Sequence, residues 1–144
     1  MAEFITNRAK LSIMNGDTPL DTSDLRLAYV TGAGVAGITQ AVFQDLNFAS
    51  ELDAITNVAI SAERLALAGE AVTEDDTNNW ALASFTTGPE FAPVAEDAEG
   101  VIVYKEGASD AARELLTLHT TGFPQPVNGG LVINDPNGWL RGTG

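Results

Sequence analysis

The sequence predicts an α+β fold, a mainly antiparallel β-sheet or small β-sandwich with one or two short N-terminal helices packed on it. Three observations lead there. Helical spacing of apolar residues occurs only ahead of Asn57, and in short stretches. Beyond that point, apolar runs of about 5 to 8 residues alternate with turn chemistry. The joints between those runs suit antiparallel pairing, because parallel strands need a crossover of about a dozen residues or more. At 144 residues the chain reads as a single domain whose core needs no disulfide or metal staple.

Residues 6–14 carry Ala9, Leu11 and Met14 at roughly helical spacing and close on Asn15-Gly16, a stop pair because glycine accepts a left-handed cap. A short helix is expected there. Residues 17–24, rich in Asp, Thr, Pro and Ser, form a loop whose side chains can bond their own backbone. Residues 25–30 set Leu25, Leu27 and Tyr29 against Arg26, Ala28 and Val30, the alternation of a largely buried first strand. Residues 32–40 read as a flexible, irregular connection. From Phe48 the apolar positions Phe48, Leu52 and Ile55, with Ser50 three before Asp53 as a capping box, suggest a second short helix.

The predicted strands that follow span 64–72, 79–85, 100–105, 114–120 and 131–134, with a last piece at 139–141. Glu74-Asp75-Asp76-Thr77 joins the first two, Glu106-Gly107-Ala108-Ser109-Asp110 joins the third and fourth, and Asn128-Gly129-Gly130 leads into the fifth. Val101-Ile102-Val103-Tyr104 is apolar on both faces and belongs in the middle of the sheet, which should come mainly from residues 64–141. Val101, Val103, Leu116, Leu118 and Val132 are the expected core.

Charge narrows the function. With 7 Lys and Arg against 20 Asp and Glu, the formal charge is −13 and the pI about 4.1, so the surface repels phosphate. Nucleic acid and anionic membranes are therefore not expected partners. No apolar run approaches the roughly 20 residues of a membrane span, and the N-terminus lacks a signal-peptide pattern, so synthesis in a reducing cytoplasm is expected. Without Cys there is no thiol catalysis, disulfide or thiolate metal site.

Several segments look chemical and lose on context. Gly32-Ala33-Gly34-Val35-Ala36-Gly37 follows a predicted strand, as a dinucleotide fingerprint would, but no second parallel strand ending in an acid follows. A loop whose small residues bend tightly or pack on a neighbour is the expectation. His119, the only histidine, sits in an apolar run with no nucleophile-elbow sequence in the chain, so catalysis is not expected of it. One His and no Cys cannot supply a zinc site. Glu74-Asp75-Asp76 and Asn134-Asp135-Pro136-Asn137-Gly138 gather oxygens on turns, yet neither has the spacing of a calcium loop. Neither an enzyme nor a cofactor is expected.

Colinear segments carry a resemblance. They are Phe4-Ile5-Thr6-Asn7-Arg8-Ala9-Lys10, Asp24-Leu25-Arg26-Leu27-Ala28-Tyr29-Val30, Asp45-Leu46-Asn47-Phe48-Ala49-Ser50-Glu51-Leu52, and Leu67-Ala68-Gly69-Glu70-Ala71-Val72-Thr73-Glu74-Asp75-Asp76-Thr77-Asn78. With Gly100-Val101-Ile102-Val103-Tyr104-Lys105 and Asn128-Gly129-Gly130, they resemble small tailed-bacteriophage virion structural proteins. The Gly/Ala-rich loop 32–43 and Ala62-Glu63-Arg64-Leu65 depart from that pattern. The resemblance implies a role class, with no binding residues to carry over. The expected role is a capsid decoration or cement protein on the outer head surface, found in the virion and contacting other subunits, foremost the major capsid protein. A tail or head-to-tail connection component, and a calcium- or sugar-binding module, are the alternatives. A homo-oligomer is expected, a trimer above all, because decoration proteins commonly sit on threefold axes. Trp80, Phe85, Phe91, Phe123, Trp139 and Leu140 are its interface candidates, several lying beside Pro and Gly in loops.

Overall fold

A strand with no polar face has to be covered on both sides, and the apolar run at Val101 is. The computed structural model describes residues 3–77, 80–85, 89–133 and 139–143. In chain order its elements are β1 (Glu3–Ile5), α1 (Asn7–Asn15), β2 (Leu25–Thr31), a 3-10 turn (Ala33–Gly37), α2 (Gln40–Phe43), α3 (Ala49–Asp53), β3 (Ala59–Ile60) and β4 (Leu65–Ala66). Then come β5 (Ala71–Asp75), β6 (Trp80–Ser84), β7 (Glu90–Phe91), β8 (Asp97–Ala98), β9 (Gly100–Lys105), β10 (Glu114–His119), β11 (Gln125–Pro126), β12 (Leu131–Val132) and β13 (Leu140–Thr143). The fold is α+β and mainly antiparallel.

The main sheet runs β1-β10-β9-β2-β3, with β4 also on β2, and β9 is its middle strand. One face gathers Leu25, Leu27, Tyr29, Val101, Val103 and Leu116 under small sheets formed by β7 with β12, β8 with β11, and β5, β6 and β13. The other gathers Ala28, Val30, Ile102, Tyr104, Leu115 and Leu118 under the 3-10 turn, α2 and α3, which contribute Val35, Phe43 and Leu52. The alternation of β2 is thus split between two cores. On β10 the phase slips at a bulge between Leu115 and Thr117, which sends Leu115 and Leu118 to one face and Leu116 to the other.

Thr6 joins that bulge to α1. Its N–H donates to Leu116 O at 3.1 Å, its hydroxyl donates to Leu115 O at 2.8 Å, and the same oxygen caps the helix by accepting from the Ala9 N–H at 3.0 Å. Gly16, in the left-handed conformation, ends the helix. With its start tied this closely to β10, α1 turns Ala9 and Ser12 inward and leaves Leu11 60% and Met14 84% exposed. Leu11 and Met14 lie on the expected helix, on its outward side.

Other expectations are corrected. The main sheet draws β1, β2 and β3 from the first 60 residues and β4, β9 and β10 from beyond residue 64, while the small sheets all come from beyond residue 70. The run 64–72 splits into β4 and the start of β5 around Gly69, whose φ is +67°. Only Leu131–Val132 of 131–134 is described as strand, and Leu131, not Val132, points inward. Asn79 and residues 134–138 lie outside the described residues. The connection 32–40 contains the 3-10 turn and opens α2, capped by Thr39. In α3 the cap is the Glu51 carboxylate, which accepts from the N–H groups of Asn47 and Phe48, while Asp53 reaches Ile60 N–H at 3.2 Å.

Candidate functional site

The glycine-rich turn shows why its glycines are there. Gly32 has φ +101°, and a Cβ on Gly34 would stand 2.2 Å from the Thr56 carbonyl oxygen. The Gly34 N–H donates to Asn57 O at 2.9 Å, so this backbone lies directly on another backbone segment. Of the two expectations for the loop, close packing is the one found. β2 continues antiparallel into β3, so the parallel strand of a dinucleotide site does not follow.

His119 is half-buried on β10, with its Nε2 2.9 Å from the hydroxyl of the fully buried Thr117. Burial lowers its pKa to about 4. No group of three or more His, Cys, Asp or Glu that could hold a metal ion occurs among the described residues. The turn 134–138 falls outside them.

The predicted interface residues have three fates. Phe91 and Trp139 are 0% and 4% exposed members of the first core, so their side chains have no surface to offer a partner. Phe91 meets Tyr29 edge to face at 4.9 Å between centroids. Phe85, Phe123 and Leu140 are partly buried against the same core. Trp80 lies on β6, opposite Asp75 and Thr143, and its side chain is outside the described residues. Among the described residues, the large apolar side chains that do stand in the open are Leu11, Met14, Val42, Val72, Val94 and Val132. Of these, the sequence places Val132 in the core, and it marks none of them as interface.

The densest charged constellation caps one end of β2 and β9. Arg113 reaches Glu106 at 2.6 Å and Asp110 at 2.8 Å, Arg64 reaches Asp110 at 3.2 Å, and Arg26 reaches Asp24 at 2.8 Å and Glu106 at 3.7 Å. The Arg64 and Arg113 guanidinium carbons stand 5.5 and 5.9 Å from the Tyr104 ring centre. The Arg113 hydrogen bond holds the Glu106 carboxyl below the usual range, helped by the Gly107 N–H. Burial pushes Asp110 up, and the bonds from Arg113 and Arg64 outweigh it, leaving it lowered. For Arg64, burial opposes the charge, but Tyr104 and Asp110 overcome it and raise the pKa. The buried Tyr104 hydroxyl makes no hydrogen bond of ordinary geometry, although it is close enough to act on Arg64. Each arginine here is met by an acid, so the cluster clamps the 106–113 loop and presents no free cation to an anionic ligand.

The remaining described cations divide sharply. Lys105 Nζ donates to Asp17 O at 2.8 Å, and Arg8 pairs with Glu114 at 3.3 Å while lying 4.7 Å over the Phe48 ring. Lys10 is exposed and has no ion-pair partner among the described residues.

No family model matches the chain, and no curated protein or solved structure matches it either. Its function therefore has to be argued from the surface. That surface is acidic, its arginine-rich cluster is internally neutralised, and the exposed apolar side chains among the described residues are spread over α1, α2, β5, β12 and the loop after β7. Such an arrangement can bind other proteins.

Proposed function

We propose that the chain is a structural protein of a tailed-phage virion, seated as a decoration or cement protein on the outer head surface. The observation that carries this reading is the distribution of charge. Of a formal −13, the arginines at residues 26, 64 and 113 are spent on internal acids, so the field that reaches solvent is negative. Such a surface is repelled by packaged DNA and belongs outside the shell. The colinear resemblance to phage virion proteins supports the class. A sheet covered on both faces supplies a rigid body, which suits a part that braces other subunits. The partners are the major capsid protein and further copies of the chain, as a trimer about a local threefold axis.

Reconstruction of virions made with and without the protein tests the reading. Added density over the capsid surface at threefold positions is the expected result. Density confined to the tail or to one vertex would move the protein to the tail or connector, and its absence from purified virions would overturn the reading.

A further inference from the structure

We propose that the outward face of α1 is the docking surface for a second copy of this chain, which receives it on the acid-rimmed valines around β7 and β12. The proposal rests on the homo-oligomer reading above and gives it an interface. Asn7, Lys10, Leu11 and Met14 are all exposed and follow the i, i+3, i+4, i+7 spacing of one helix face. The helix buries its smaller residues, Ala9 and Ser12, and presents its larger apolar ones. It also contains no acid, and its Arg8 and Lys10 are two of the chain's seven basic residues. A positive, apolar face on a protein of charge −13 is complementary to the rest of the protein's own surface.

One described region has the matching chemistry. Val132 on β12 is 49% exposed and directly opposite the exposed Glu90 of β7, so both side chains project from the same face of that pair. Val94 is 44% exposed, is anchored by its N–H to Val127 O, and is followed by the exposed Glu96 and Asp97. The Tyr29 hydroxyl donates to Glu96, which ties this segment to β2, whereas α1 packs against β10. The two patches therefore belong to different elements, although Ala9 of α1 packs into the same core as Phe91 and Leu131.

Charge sets the symmetry. Two α1 faces laid on each other about a twofold axis would bring the Lys10 side chains of both copies together, an unfavourable meeting of like charges. Helix on acidic valine patch is instead a head-to-tail contact, and such contacts close into rings in which every copy both gives and receives. A helix of nine residues is only about 13 Å long, so a single contact is small and ring closure supplies the rest.

Sedimentation of the full chain at low and high salt provides the test. The wild type is expected to form a ring trimer that weakens as salt rises. Met14→Asp and Lys10→Glu should each weaken association at least about tenfold without moving the melting temperature of the monomer, since both side chains are exposed. Lys10→Glu combined with Glu90→Lys should regain the ring. A wild type that stays monomeric at low salt, a ring indifferent to Lys10→Glu and Met14→Asp, or a double variant that fails to recover would each overturn the proposal. If Lys10→Glu removes the protein from phage heads while the wild type is monomeric, the face serves the capsid and the second copy is refuted. Virion imaging separates the two claims, because a ring that never appears on virions leaves this contact standing and sinks the virion role.

Discussion

Strand β9 and helix α1 obey opposite rules for where an apolar side chain goes. β9 buries everything from Gly100 to Tyr104, because β10 and β2 flank it and a core covers each face. α1 buries an alanine and a serine and exposes a leucine and a methionine. The difference lies in what holds each element in place. β9 is held by apolar area on both sides. α1 is held at one end by Thr6, whose hydrogen bonds to the Leu115 and Leu116 carbonyls set its height and rotation above β10 before hydrophobicity has a say.

The first way to break that contrast is a cavity in β9. Ile102 is fully buried in the second core, and Ile102→Ala should cost about 2–5 kcal/mol in a denaturant or thermal melt. A cost below about 1 kcal/mol would mean that the helices over this face collapse into the gap, and that β9 is less securely framed than its two cores imply.

Thr6→Ala comes next, because it removes the hydroxyl's bond to Leu115 O and the helix cap together, leaving only the backbone bond to Leu116 O. Losing a cap costs about 1 kcal/mol, and a buried carbonyl left without its donor costs about 1–3 more. A total of about 2–4 kcal/mol is expected, with hydrogen exchange rising first in residues 7–15 while β9 stays protected. Uniform loss of protection would show that α1 is part of the same cooperative unit as the sheet.

How much of this could be read from the sequence follows from the same contrast. A continuous apolar run such as Val101-Ile102-Val103-Tyr104 needs no phase, so its place in the middle of a sheet was legible, as were β2, the β9–β10 turn and both ends of α1. Phase is where reading failed. The Thr6 tie joins partners more than a hundred residues apart in sequence, and the bulge between Leu115 and Thr117 is a slip in pairing with β9; no local pattern announces either. The two-residue strands β3, β7, β8 and β11 are too short for periodicity to show. Aromatic content pointed to Phe91 and Trp139 as interface, yet these are the residues that fill the core under the small sheets. The arginine cluster over Tyr104 joins residues near 24, 64 and 110, and no spacing rule links them.

Strand β10 belongs to both regions, since it flanks β9 and carries α1, and it holds the one histidine. His119 has its pKa lowered to about 4 by burial, against about 6.5 when unfolded. The unfolded chain therefore takes up a proton that the folded chain refuses. Stability from this group is complete above about pH 6.5 and is lost as pH falls toward 4, by on the order of 2 kcal/mol for a half-buried ring. The lowered Glu106 and Asp110 carboxyls act in a lower window, losing their contribution below about pH 4 as they protonate. His119→Gln should flatten the stability curve between pH 6.5 and 4 and leave the steeper loss below pH 4 in place. A proton NMR titration of His119 with an ordinary midpoint near 6.5 would contradict it.

The smallest effect is the one that most sharpens the contrast. Leu11→Ser and Met14→Ser remove apolar side chains from a helix, a change that elsewhere in this chain would open a cavity. Both side chains are already in water, 60% and 84% exposed, so their replacement forfeits little buried area. Serine lowers helix propensity by only a few tenths of a kcal/mol, and exposed substitutions of this kind stay within about 0.5 kcal/mol. The melting temperature of a dilute sample should therefore be nearly unchanged. A concentrated sample should differ, because the double variant loses the apolar centre of the α1 face while Lys10 keeps its charge. If the dilute melt fell by the amount typical of a core leucine, α1 would have to lie with Leu11 and Met14 inward, and the Thr6 geometry that rotates them outward would be wrong. A retained melt with lost association would identify these two residues as serving a neighbour and not the chain that carries them.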